Sequence, residues 1–131
     1  MTLVLDASAA LAIVGERGRG REFHREAQKA DLVIAPDLFV PEIVNAVWKY
    51  HQFESLSIAS CNHQIELALA IVETLIPCKE LHREAFLMAR DAKKPAYDMF
   101  YLALAKREDA VLLTSDGALR KEAERQGIQV I

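Results

Sequence analysis

Four acidic residues stand where ordered segments begin or end. They are Asp6 in Leu3-Val-Leu-Asp-Ala-Ser, Glu42 in Val40-Pro-Glu-Ile-Val-Asn, Asp98 in Pro95-Ala-Tyr-Asp-Met-Phe-Tyr and Asp116 in Leu112-Leu-Thr-Ser-Asp-Gly. No local motif joins them. Carboxylates gathered at one point repel one another unless they hold protons or divalent cations. A hard cation such as Mg²⁺ needs only one or two carboxylates, waters and a substrate phosphate. The chemistry such a cluster suits is therefore cation-assisted work on phosphate esters.

Whether the four meet depends on the elements that carry them. Leu3-Val-Leu is too short for a helix and reads as a buried parallel strand. Ser8–Val14 reads as a helix, Gly15, Gly18 and Gly20 loosen the chain, and a second helix follows from about Arg21 to Lys29. Leu32-Val-Ile is a strand closed by Pro36. Val40, Ile43, Val44 and Val47 repeat at helical spacing, with Pro41 suited to a first turn. Ile65, Ala68, Leu69 and Val72 mark another helix. Leu75-Ile-Pro reads as an edge strand, because Pro77 forbids a central one.

Leu81, Ala85, Met88, Ala89 and Ala92 mark a further helix, ended by Lys93-Lys-Pro95. Met99–Ala105 is apolar on every side, as a buried helix is. Val111-Leu-Leu is a strand, Gly117–Gln126 a helix with Gly127 at its cap, and Ile128–Ile131 a last strand. Strands alternating with helices predict a mostly parallel sheet of four or five short strands covered on both faces. Ligands of such sheets bind beyond the carboxyl ends of the strands. Asp6 and Asp116 both follow a strand and project from that edge.

Each acid has an ordinary alternative. Asp6, Asp98 and Asp116 suit helix N-caps, and Glu42, poor as a cap, suits a first turn near the positive end of a helix dipole. Together the caps explain less. Asp98 opens a buried helix and Asp6 lies between apolar segments, so unpartnered charges there would cost several kcal/mol each.

Composition narrows the classes. At 131 residues, with 52% hydrophobic and 27% charged residues, the chain reads as one globular domain. Its net charge of −3 argues against nucleic-acid binding driven by whole-molecule charge, though not against a local basic groove. No apolar run approaches the roughly 20 residues that span a bilayer, and an acid at position 6 disfavours a secretory signal. A cytoplasmic protein is expected. Cys61 and Cys78 form no CxxC pair and read as reduced, buried side chains. The four histidines lack zinc-site spacing.

The pattern resembles the PIN domain, and most closely the single-domain VapC-type toxin ribonucleases of toxin–antitoxin pairs. The matching segments are Leu3-Val-Leu-Asp6-Ala-Ser-Ala-Ala-Leu, Pro41-Glu42-Ile-Val-Asn-Ala, Tyr97-Asp98-Met-Phe-Tyr-Leu-Ala-Leu-Ala and Leu112-Leu-Thr-Ser-Asp116. Their order and spacing carry the resemblance over residues 2–131. It matches least in the loop 15–20 and at 53–62, where substrate or partner choice is expected.

The resemblance implies a three-layer PIN-like α/β fold over residues 1–131, and a metal-dependent endoribonuclease. Asp6, Glu42, Asp98 and Asp116 would form the acidic site. Asp6 and Asp98 would be direct Mg²⁺ or Mn²⁺ ligands, with Glu42 and Asp116 completing the site directly or through water. A water activated by the cation would cleave RNA, leaving a 5′-phosphate and a 3′-hydroxyl. A cognate antitoxin and a homodimer are the implied partners.

Ser8 and Thr114, each two residues from an acid, and Asn45, one turn from Glu42, are candidate supports. Arg17, Arg19 and Arg21 are candidates for tracking an RNA backbone. The glycines around them form no phosphate-cradling fingerprint, since they do not sit directly between a strand and its helix. Trp48, Phe53 and Phe39 are either core or part of an exposed patch for an antitoxin tail or a second subunit. A receiver-like phosphoacceptor domain fits poorly, because no second acidic pair follows and no late strand is followed by the expected Lys. A catalytically silent PIN-fold interaction module is the remaining alternative.

Overall fold

The computed structural model describes residues 1–131. Its four strands are β1 (Thr2–Leu5), β2 (Leu32–Pro36), β3 (Thr74–Ile76) and β4 (Val111–Leu113). Every pairing is parallel and the order is β3-β2-β1-β4. Seven α-helices flank this sheet: α1 (Ala7–Gly15), α2 (Gly20–Lys29), α3 (Phe39–Glu54), α4 (Ile58–Ile71), α5 (His82–Ala92), α6 (Ala96–Arg107) and α7 (Gly117–Arg125). A 3-10 turn, Cys78–Glu80, precedes α5.

The strand order places the functional edge. From β1 the chain moves outward through β2 to β3, then returns to pair β4 with the other side of β1. The connections therefore diverge between β1 and β4, and a crevice forms beyond the carboxyl ends of strands at such a point. Leu5 pairs with Leu113, so the next residues, Asp6 and Thr114, emerge side by side. The Asp6 amide donates to the Leu113 carbonyl at 3.2 Å and ties the two strand ends together.

The apolar runs form one core. Leu3, Leu5, Phe23, Phe39, Ile43, Leu102, Leu104, Leu112 and Leu113 are fully or almost fully buried in it. Helix α6 packs on β1, β2 and β4 and also on α5, while α1 packs on α2, α3 and α4. That explains why α6 is apolar on every side. It also starts at Ala96, before the apolar run, so Asp98 lies inside its first turn.

Three expectations change in detail. The strand expected over Ile128–Ile131 is a single parallel bridge, Val130 with Leu112, at the outer side of β4. Only the bonds Leu112 N–H to Gln129 O and Ile131 N–H to Leu112 O form there, both 2.9 Å. Val72 caps α4 in extended conformation instead of continuing its stripe. Cys61 is buried but Cys78 only half-buried, because Cys78 sits on the short turn after the edge strand.

Candidate active site

Asp6 is the most constrained of the four acids. It is 5% exposed and is the N-cap of α1. Its Oδ1 accepts the Ala9 amide at 2.8 Å and the Ser8 hydroxyl at 2.7 Å. Its Oδ2 accepts the Thr114 hydroxyl at 2.5 Å. Burial nevertheless outweighs these bonds and pushes the carboxyl up to about 6, with a further contribution from Asp98.

Ser8 and Thr114 link this carboxylate to the loop after β4. The Ser115 amide donates to Ser8 Oγ at 2.9 Å, and the Asp116 amide to Thr114 Oγ1 at 3.0 Å. Thr114 is fully buried. Its hydroxyl thus donates to one acid and accepts from the backbone of another. Replacing it with Val keeps the shape and removes both bonds. Thr114→Val should therefore destabilise the fold by about 1–3 kcal/mol in urea unfolding, the cost of leaving buried polar partners without their bonds. Unchanged unfolding would show that Ser8 and the Ala9 amide suffice to hold Asp6.

Asp116 caps α7, its Oδ1 accepting the Ala118 and Leu119 amides at 2.8 and 3.0 Å. Asp98 caps nothing, contrary to expectation: Pro95 holds the N-cap position of α6, and no protein donor reaches the Asp98 carboxylate. Half-buried in the first turn, it is raised above the ordinary carboxyl range by burial and then by Asp116, while Lys94 partly offsets this. Glu42, in the first turn of α3, is raised by burial and by Asp98 and Asp6. Capping and clustering are therefore not alternatives: Asp6 and Asp116 do both.

Asn45 lies near Glu42 in a shared cleft but makes no hydrogen bond to it. The group that orients Glu42 is Tyr101, whose hydroxyl donates to Glu42 Oε1 at 2.5 Å from the buried face of α6. Burial, then Glu42, pushes the Tyr101 phenol far up, so it stays a donor. The sequence carries one signal for it. Tyr101 is three residues after Asp98, a spacing that puts two side chains on one helix side.

The charges reach one another: Asp116 raises Asp98, Asp98 raises Asp6, and both Asp98 and Asp6 raise Glu42. Two of the four line separate depressions. Glu42, Ser8, Asn45 and Ser115 line a cleft of about 570 Å³, and Asp98 lines a smaller one with Lys94, Tyr97 and Leu119. No three acidic, imidazole or thiol side chains surround a single point closely enough to cage an ion.

The donor set suits a hard, largely hydrated cation, which takes one or two carboxylates and keeps its waters. Each carboxylate oxygen has about two acceptor positions. One remains on Asp6 Oδ2, Glu42 Oε2 and Asp116 Oδ2 accept nothing, and both Asp98 oxygens are free.

The three candidate arginines separate. Arg17 lines the cleft with Glu42, its guanidinium 4.4 Å from the centre of the Tyr50 ring. Arg19 pairs with Glu22 through two bonds of 2.7 and 2.8 Å. Arg21 lines another depression, with Ile13, His24 and Leu67. Phe39 is core, whereas Trp48 and Phe53 are 51% and 75% exposed and meet edge to face at 6.1 Å.

The arrangement is a parallel α/β fold with a carboxylate series at the switch point of its sheet. The chain belongs to the PIN domain family, which matches residues 3–124. It is similar to Ribonuclease VapC3 of Pyrobaculum aerophilum, with 28% identity over 93% of this chain and 95% of that protein. Its fold matches the crystal structure of PAE2754 from Pyrobaculum aerophilum, with a TM-score of 0.72, 22% identity and coverage of 99% of this chain and 92% of that one. It also matches VapBC2 from Rickettsia felis, crystallised bound to a DNA fragment from its promoter. There the TM-score is 0.70 at 16% identity, over 100% of this chain and 98% of the other.

Proposed function

We propose that residues 1–131 form a single PIN domain acting as a Mg²⁺- or Mn²⁺-dependent endoribonuclease, the toxin of a cytoplasmic toxin–antitoxin pair. The observation that carries this is the series of four carboxylates, from Asp116 through Asp98 to Asp6 and Glu42, with unfilled acceptor positions at the switch point of the sheet. Membership of the PIN family and the similarity to a ribonuclease support the choice of RNA.

A divalent cation held by Asp6 and Asp98, with Glu42 and Asp116 completing its surroundings, would supply an activated water and neutralise charge on the phosphoryl oxygens. The protein's part is positioning. Ser8, Thr114 and the Ala9 amide fill three of the acceptor positions of Asp6 and aim the remaining one on Oδ2. With its carboxyl at about 6, Asp6 is mostly ionised at pH 7. Tyr101 fixes Glu42 through Oε1 and leaves Oε2 free.

Incubation of the chain with RNA in Mn²⁺ or Mg²⁺ tests the reading, against EDTA and Asp98→Asn. Cleavage should require the ion and fall sharply in the variant. Cleavage that persists in both controls rules out the carboxylate–cation mechanism. A well-folded chain that cleaves no RNA would favour a silent PIN-fold interaction module.

We also propose an antitoxin and a second copy of the chain as partners. The exposed Trp48–Phe53 pair supports this, since large apolar side chains left in water on one helix mark contact surfaces. Trp48→Ala should weaken dimer or antitoxin binding roughly tenfold or more, measured by sedimentation and by titration with the antitoxin. Unchanged binding by a folded variant would remove Trp48 from the interface.

A further inference from the structure

We propose that the end of the cleft formed by Arg17, Lys49 and Tyr50 is a nucleotide subsite, which grips single-stranded RNA beside the bond to be cut. The inference rests on the ribonuclease reading and specifies how its substrate is held.

The cleft is polarised along one helix. Glu42, Asn45 and Lys49 follow one another at positions i, i+3 and i+7 of α3, and all three line it, with Tyr50 next to Lys49. At 1.5 Å rise per residue, Lys49 and Tyr50 lie about 10–12 Å along the axis from Glu42. Ser8, Ser115 and Glu42 therefore mark the acidic end, and Lys49, Tyr50 and Arg17 the cationic end. Neither Arg17 nor Lys49 is paired with a carboxylate, whereas Arg19, Arg90, Arg107 and Arg125 all are.

Arg17 is held in place by the backbone. Its amide donates to the Ala12 carbonyl at 2.9 Å, and its carbonyl accepts the Gly20 amide at 2.7 Å. Glu16 before it and Gly18 after it take the left-handed conformation, which turns the loop back over α1. The guanidinium then rests on the Tyr50 ring. The Arg17 side chain is exposed and makes no hydrogen bond within the chain, so its N–H groups are available to a phosphate. A stacked arginine beside a lysine and an aromatic ring is the combination that takes phosphates and unstacked bases of single strands. Because the loop is already built, little ordering is needed on binding.

The test uses the full chain and a short fluorescent single-stranded oligoribonucleotide, bound in EDTA so that it is not consumed. Arg17→Gln and Lys49→Gln should each weaken binding about 5–20-fold and lower the salt dependence by about 0.7 per lost phosphate contact. In Mn²⁺ each should raise KM with kcat within about threefold, since the contact lies away from the scissile bond. Wild-type affinity and salt slope in both variants, with melting unchanged, would overturn the subsite. So would tighter binding of a poly-glutamate peptide than of RNA that is lost in Arg17→Gln, because the cleft would then be a protein-binding site. If the wild type binds RNA through Arg17 and Lys49 but does not cut it in Mn²⁺, the subsite stands and the ribonuclease reading fails. If the wild type cuts RNA and both variants bind as it does, only the subsite fails.

Discussion

Asp6→Asn is expected to give a protein that has lost RNA cleavage on the order of a thousandfold, the upper range for removing one preorganised electrostatic group, yet is more stable at neutral pH. The stability gain follows from burial. The Asp6 carboxyl is raised from 3.8 to about 6 in the folded chain. The folded state thus binds this proton more tightly than the unfolded state does. Stability contributed by Asp6 is fully present below pH 4 and declines as pH rises through about 6. A shift of about two pH units corresponds to about 3 kcal/mol.

Asparagine carries no such penalty and keeps most of the local bonds. Its Oδ1 can still accept Ser8 and Ala9, and its Nδ2 can donate to Thr114 Oγ1 once that hydroxyl turns away. Urea unfolding in EDTA at pH 4 and pH 7.5 checks the prediction. The two proteins should be close in stability at the lower pH, and the variant more stable by up to about 3 kcal/mol at the higher. A less stable variant at pH 7.5 would mean that the bonds to the charged form outweigh its desolvation.

Gly20→Ala is expected to destabilise the fold by about 3 kcal/mol or more, at the upper end of what overpacking costs. A Cβ at Gly20 would lie 2.1 Å from the Ala12 carbonyl oxygen and 2.7 Å from its carbon. Those are backbone atoms of α1, so no rotamer change relieves the clash. Helices α1 and α2 must separate, and the loop that carries Arg17 moves with them. At about 4 °C per kcal/mol for a chain of this size, melting should fall by roughly 10 °C. Gly18→Ala is the control, since a Cβ there meets nothing within 4 Å and only its positive φ is strained. Equal melting of the Gly20 variant and wild type would show that the α1–α2 contact yields easily.

The strands and helices were legible where the apolar pattern was strong. Leu3-Val-Leu, Leu32-Val-Ile, Val111-Leu-Leu and the all-apolar α6 lie where periodicity puts them, because one core accepts them all. The carboxyl-terminal segment was less legible. Ile128 and Val130 have strand composition, but only one bridge forms beside β4. Which strands neighbour one another is a long-range property, and so is the switch point that aligns Asp6 with Thr114.

At the site, Ser8 and Thr114 were readable from their nearness to an acid. Asn45, one turn from Glu42, makes no hydrogen bond to it, whereas Tyr101 reaches Glu42 from 59 positions along the chain. The same holds for Arg17. Arg17 is in a loop and its partner Tyr50 lies on the distant helix α3, so nothing local separates it from Arg19, which pairs with Glu22 three residues on.

The chemistry of the cut ends is the most direct measurement of the central claim, that carboxylates and a cation activate water against an RNA phosphodiester. Labelled RNA cleaved in Mn²⁺ should carry 5′-phosphate and 3′-hydroxyl ends, and no such ends should form in Asp6→Asn. Ends bearing a 2′,3′-cyclic phosphate would contradict it, because the attacking oxygen would then be the RNA's own 2′-hydroxyl.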